Sequence, residues 1–189
     1  MLSENERWLL SYYRASEITG AMFFGRIAKM QRPGPVQADL TMHFADEAQH
    51  ARWFTECMES LSVQPLKLNY AYQDDYLQTA GVPTNFMEIL SITQAFEKRI
   101  LNTYAKHLRV PGTPMPVKRT LQRIMRDEKW HVEWIKQSLR DMEAEYGKEH
   151  IERTLDRHTA ADRETYRRFV SEHAERIDFL LQVKGERAA

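Results

Sequence analysis

Apolar residues recur along this chain at intervals of three and four, the mark of helices that bury one face. The first such row is Leu9, Tyr13, Gly20, Phe24 and Ile27, and Glu17 lies on it. Ser3 stands where a helix cap belongs, with Glu4 and Glu6 in the opening turn. Pro33-Gly34-Pro35 ends this helix and opens a second, which runs to Ser62. Its row is Leu40, Phe44, Ala51, Phe54, Met58 and Leu61, shared by Glu47 and His50. After Pro65 the period fades. Tyr70, Tyr72, Tyr76 and Leu77 read as an aromatic connection rather than a helix. Gly81-Val82-Pro83-Thr84 opens a third helix, to Arg109, with Phe86, Leu90, Thr93, Glu97, Leu101, Tyr104 and Leu108 inward. A fourth follows the proline-rich turn at Pro111 to Pro116 and runs to Tyr146, with Gly147 as its stop. Its row is Leu121, Ile124, Glu128, His131, Ile135, Leu139 and Met142.

A fifth helix is expected over Thr159 to Val183, with Tyr166, Phe169, Val170, Ile177, Leu180 and Leu181 on one face. It reads as a flap packed on the outside of the other four, with a dimer interface as the alternative. The tail beyond Lys184 is expected to be disordered.

Loop lengths set the expected topology. Short turns after helices one and three make antiparallel hairpins. The connection between them spans about twenty residues, whose extended reach exceeds a helix about 40 Å long. Such a link can cross a whole bundle and leave helices two and three parallel. The expected architecture is all-α: a four-helix bundle with one long crossover in residues 1–150, and a C-terminal helical extension of the same domain in residues 151–189.

The bulk numbers narrow the function. The chain has 189 residues, 42% apolar and 29% charged, with no net charge. That is the balance of one soluble globular domain. No clustered basic face suggests nucleic acid as a partner. One cysteine, Cys57, excludes a disulfide framework and a Cys-x-x-Cys knuckle. No apolar run is long enough for a bilayer, no signal peptide is visible, and a cytoplasmic location is expected.

The chemistry lies in a repeated pattern. Asp46-Glu47-Ala48-Gln49-His50 and Asp127-Glu128-Lys129-Trp130-His131 are both Asp-Glu-x-x-His. Glu17 precedes Glu47 by 30 residues and Glu97 precedes Glu128 by 31. Residues three apart share a helix face, so each Glu-x-x-His aims an oxygen and a nitrogen at one spot. Two such helices and one glutamate from each of the others supply four carboxylates and two imidazoles. Two divalent ions would neutralise that set, which without them is a costly buried cluster of like charges. Imidazole mixed with carboxylate suits iron or manganese. Glu17, Glu47, His50, Glu97, Glu128 and His131 are therefore the expected metal ligands and catalytic centre.

Over residues 4–146 the chain resembles the ferritin-like di-iron carboxylate superfamily, on the side of the rubrerythrins, bacterioferritins and bacterial multicomponent monooxygenases. The resemblance implies iron held by those six residues, with Glu47 and Glu128 as the bridging carboxylates. It implies that Asp46 and Asp127 hold the histidine rings, with a plain surface role as the alternative. Tyr104, seven residues after Glu97, is a candidate hydrogen-bond donor beside the site. It also implies two iron ions, with Fe/Mn or Mn/Mn pairs as alternatives. Ala48 replaces the methionine that carries haem in bacterioferritins, so no haem is expected. Gln94 and Ile100 stand three residues either side of Glu97, where an additional rubrerythrin glutamate is absent, and no cysteine-rich module is present. Phe24 replaces the superfamily's tyrosine on the first helix.

The expected activity is that of a di-iron oxidoreductase activating O2 against a small organic substrate. Electrons would come from an external donor. Gly20, Ala21 and Thr93 could leave room for the substrate, or merely allow close helix packing. Ferroxidase activity with iron storage, or a rubrerythrin-like peroxidase, is the alternative. His43, four residues before Glu47, reads as a packed histidine rather than a seventh ligand. Cys57 reads as a buried thiol, the tryptophans Trp53, Trp130 and Trp134 as packing residues, and His150, His158 and His173 as surface residues.

Overall fold

A computed structural model describes residues 2–183, and among these there are helices and no strands. The helices are α1 (Glu4–Met30), α2 (Pro35–Ser60), α3 (Tyr72–Ala80), α4 (Phe86–Leu108), α5 (Met115–Asp141), α6 (Glu143–Tyr146), α7 (Lys148–Glu172) and α8 (Ala174–Leu181). No helix among the described residues is long and apolar enough to cross a membrane. The chain divides into two compact units. The first runs to Asp74 and includes Pro114–Thr120; the second takes Asp75–Thr113 and the described residues from Leu121 on.

In the first unit, α1 begins with a reciprocal cap. The Ser3 hydroxyl accepts the Glu6 N–H at 3.2 Å, and the Glu6 carboxylate accepts the Ser3 N–H at 2.9 Å. Pro35 occupies the first turn of α2, where a missing N–H is harmless. The two helices pack antiparallel, and side-chain pairs give the register. Tyr13 meets Phe54, Glu17 meets His50, and Phe24 meets His43, so α2 numbers fall as α1 numbers rise. The segment after α2 is tied back to α1: Leu66 N–H donates to Ser11 Oγ and Arg7 Nε donates to Gln64 O, both at 2.9 Å. One expected core position fails. Phe44 is 38% exposed, and its neighbour His43 is fully buried instead. The Phe44 ring lies across Gly25, within 3.2 Å of where a Cβ would sit.

In the second unit, Asn85 caps α4 by accepting the Glu88 N–H at 2.9 Å. Met87 and Leu90 of α4, Ile135 and Leu139 of α5 and Ile151 of α7 form one buried cluster. Helix α7 runs parallel to α4: Glu88 pairs with Arg157 at 2.7 Å and Arg99 with Asp162 at 2.8 Å. Within this unit α7 packs on α4.

Three boundaries differ from expectation. The aromatic connection contains a short helix, α3, with Tyr72 and Tyr76 buried. The fourth helix ends at Asp141, and a single turn, α6, follows before Gly147 reverses at φ 79°. The fifth starts at Lys148 and breaks at His173. Its early turns bury Ile151, Thr154 and His158, a face too polar to show an apolar period. His158 is not a surface residue: it is 2% exposed, and its Nδ1 lies 2.5 Å from the Tyr76 hydroxyl. His150 is exposed and His173 half-buried. The expectation for the tail beyond Lys184 falls outside the described residues.

Candidate metal centre

Each unit builds its own set of ligand atoms. On α1 and α2, antiparallel packing puts Glu17 opposite His50, with Glu17 Oε2 3.4 Å from His50 Nδ1. Glu47, one turn before His50, belongs to the same group: Glu17, Glu47 and His50 offer atoms all within 4.8 Å of one another. On α4 and α5, His131 Nδ1 is 2.9 Å from Glu128 Oε2 and 3.9 Å from Glu97 Oε1. All six side chains are buried, and His50, Glu128 and His131 are fully so.

These separations suit a metal. Two ligand atoms each about 2.1 Å from an ion, at right angles, stand about 3 Å apart. The observed pairs lie between 2.9 and 3.9 Å. The donors are also the right kind: hard carboxylate oxygens with imidazole nitrogens, withdrawn from water. Buried histidine–glutamate clusters that could hold a metal ion are therefore present in this protein.

Comparison with known families, curated proteins and solved structures finds no match.

Two residues here were undervalued by sequence reasoning. His43 does pack, its ring stacked on Phe24 at 3.8 Å between centroids. It also places Nε2 3.2 Å from Glu47 Oε1, and it stands among the residues able to hold an ion. The available signal was its position four residues before Glu47, on the same helix face. The second is Gly20. A Cβ there would collide with Glu47 Oε2 and stand 3.3 Å from its carboxyl carbon. The space left by this glycine is filled by the Glu47 carboxylate, so it is not substrate room.

The remaining expected residues fall beside these groups. Asp46 and Asp127 are half-buried, and Tyr104 is buried on α4 two turns beyond Glu97. Trp53 lies 5.5 Å from the His50 ring and Trp130 lies 5.4 Å from the His131 ring, between centroids. Trp134 stacks on Trp130. Trp53 and Trp134 each stand three residues after a ligand histidine, so the repeat extends to Glu-x-x-His-x-x-Trp. Cys57 is buried, and burial raises its thiol pKa.

Proposed function

We propose that the two ligand sets hold two iron ions, in a ferritin-like four-helix bundle of α1, α2, α4 and α5. In this reading the chain is an O2-activating oxidoreductase acting on a small organic substrate, with electrons from an external donor. The observation that supports it is the matched pair of buried sets: Glu17, Glu47 and His50 in one unit, Glu97, Glu128 and His131 in the other. The antiparallel packing of α1 on α2 and the long segment between Ser60 and Phe86 fit a one-crossover bundle.

Iron bound there would supply the electrons for reducing O2, chemistry that no side chain here can perform. The protein's own groups do the rest. The six ligands fix the ions. Gly20 lets the Glu47 carboxylate lie against α1, and a proton on His43 Nε2 would face Glu47 Oε1. Asp46 and Asp127 are the acceptors we assign to the second nitrogens of the ligand imidazoles. Burial of every ligand keeps bulk water from the reacting groups.

The test begins with metal analysis of the purified protein, expected to give two iron ions per chain. The reduced protein is then mixed with O2, with and without small organic substrates. Oxidation coupled to substrate supports the oxygenase or oxidase. Oxidation with iron deposition in a large multi-subunit shell establishes the ferroxidase instead. Reduction of hydrogen peroxide in preference to O2 establishes the peroxidase. Full metal retention in both Glu97→Ala and His131→Ala overturns the site itself.

A further inference from the structure

The geometry points to a second binding site, an anion-binding cleft between α4 and α7 in the second unit. It has a volume of about 320 Å³. Lys98, Arg99 and Lys106 line it from α4; Asp162, Arg163 and Tyr166 line it from α7. At 100° per residue, Lys106 projects half a turn away from Glu97, so the cleft lies on the back of the helix that carries that ligand.

Four cations face a single carboxylate here. Asp162 is committed: its Oδ1 accepts from Arg99 Nε at 2.8 Å. Lys98, Lys106 and Arg163 have no acidic partner among the described residues. Three like charges gathered at one cleft repel one another, and a bound anion would relieve that. Arg99 is prepared for such a ligand. Its side chain is only 16% exposed. Its guanidinium carbon sits 5.8 Å from the ring centroids of both Phe96 and Tyr166. A guanidinium held by a carboxylate and two rings has already lost its rotamer freedom, so binding need not supply that ordering. Tyr166 also lines the cleft, and burial raises its phenol pKa.

The ligand class follows from charge and size. A guanidinium and two ammonium groups suit a dianionic oxyanion. The volume is at the small end of small-molecule sites. A phosphate ester or a dicarboxylate meets both conditions, and a nucleic acid would need a longer basic track than this cleft offers.

The test uses the full chain as purified, at constant ionic strength. Inorganic phosphate and succinate are titrated by calorimetry into the wild type and into Lys106→Gln/Arg163→Gln. Both substituted residues are partly or fully solvent-facing, so the variant should fold, and its melting temperature without anion should equal or exceed that of the wild type. Saturable binding is expected in the wild type, weakened at least about tenfold in the variant. Tighter binding of phosphate assigns the cleft to phosphate esters; tighter binding of succinate assigns it to dicarboxylates. Binding that persists unchanged in the variant comes from elsewhere, the iron site included, and overturns the proposal. Absence of saturable binding by either anion overturns it as well. Neither result depends on whether iron is found at the ligand clusters.

Discussion

In the α1–α2 hairpin, the residue three places after the upstream glutamate is Gly20, and the residue four places before the second glutamate is His43. In the α4–α5 hairpin, the same two places hold Ile100 and Ile124. The ligands repeat and their neighbours do not. Glu47 leans into the space over Gly20 and reaches toward His43. Glu128 instead turns to His131, its own partner one helical turn on. Ile124 is fully buried and cannot hydrogen-bond a carboxylate. A shared pattern therefore coexists with two unlike settings: a histidine stands beside the carboxylate in one and an isoleucine at the matching place in the other. Two ions held by these sets would sit in unlike surroundings, although the six residues read as a duplication.

Deleting ligands gives the largest effect that could break this comparison. Glu47→Ala and Glu128→Ala should each lower metal affinity by about 100-fold or more, above the range for residues that only orient a ligand. Metal titration followed by tryptophan fluorescence checks this, because Trp53 and Trp130 lie beside the ligand histidines. If Glu47 and Glu128 gave identical residual spectra, the two settings would be equivalent after all.

The second unit also has a titratable group away from its ligands. Burial lowers the pKa of His107 to about 4. The unfolded chain, with a histidine near 6.5, binds a proton first as pH falls. The stability tied to neutral His107 is thus complete above pH 6.5 and lost as pH drops toward 4. The full loss is about 3 kcal/mol at about 1.4 kcal/mol per pH unit. Urea denaturation across that window should show the slope, and His107→Gln should flatten it. A slope unchanged in the variant would transfer the effect to other groups.

Smaller effects sharpen the comparison. Gly20→Ala should weaken metal binding about tenfold by moving the Glu47 carboxylate, the scale of a lost orienting contact. Thermal unfolding should show no loss of stability, because alanine is favoured over glycine in a helix by about 1 kcal/mol. The counterpart Ile100→Gly should do the reverse, lowering the melting temperature and sparing the metal. His43→Leu removes the partner of Glu47 and should also weaken binding about tenfold while leaving two ions per chain. Loss of one ion in that variant would make His43 a ligand in its own right.

Much of this was legible in the residues, for reasons that differ from place to place. Glu17, Glu47, His50, Glu97, Glu128 and His131 announced themselves because a helix converts spacing into direction, and each stood on an apolar row. The all-helical fold followed from the same rows. What sequence reasoning missed is mostly polar burial. Thr154, His158, Asp162 and Thr165 all face inward on α7. Three have partners from distant segments: Tyr76 for His158, Arg99 for Asp162 and Thr79 for Thr165. No local period reveals a partner 63 to 86 residues away. His43 hid for a related reason, since a histidine against an aromatic ring looks like packing until the carboxylate one turn on is placed beside it.

The small residue at position 20 has a consequence for anyone who edits this chain. A screen that rewards heat resistance would favour adding a methyl there, because the helix gains and nothing in the backbone objects. Such a screen would enrich robust proteins whose Glu47 carboxylate had been pushed aside, and only a metal-binding assay would expose the trade.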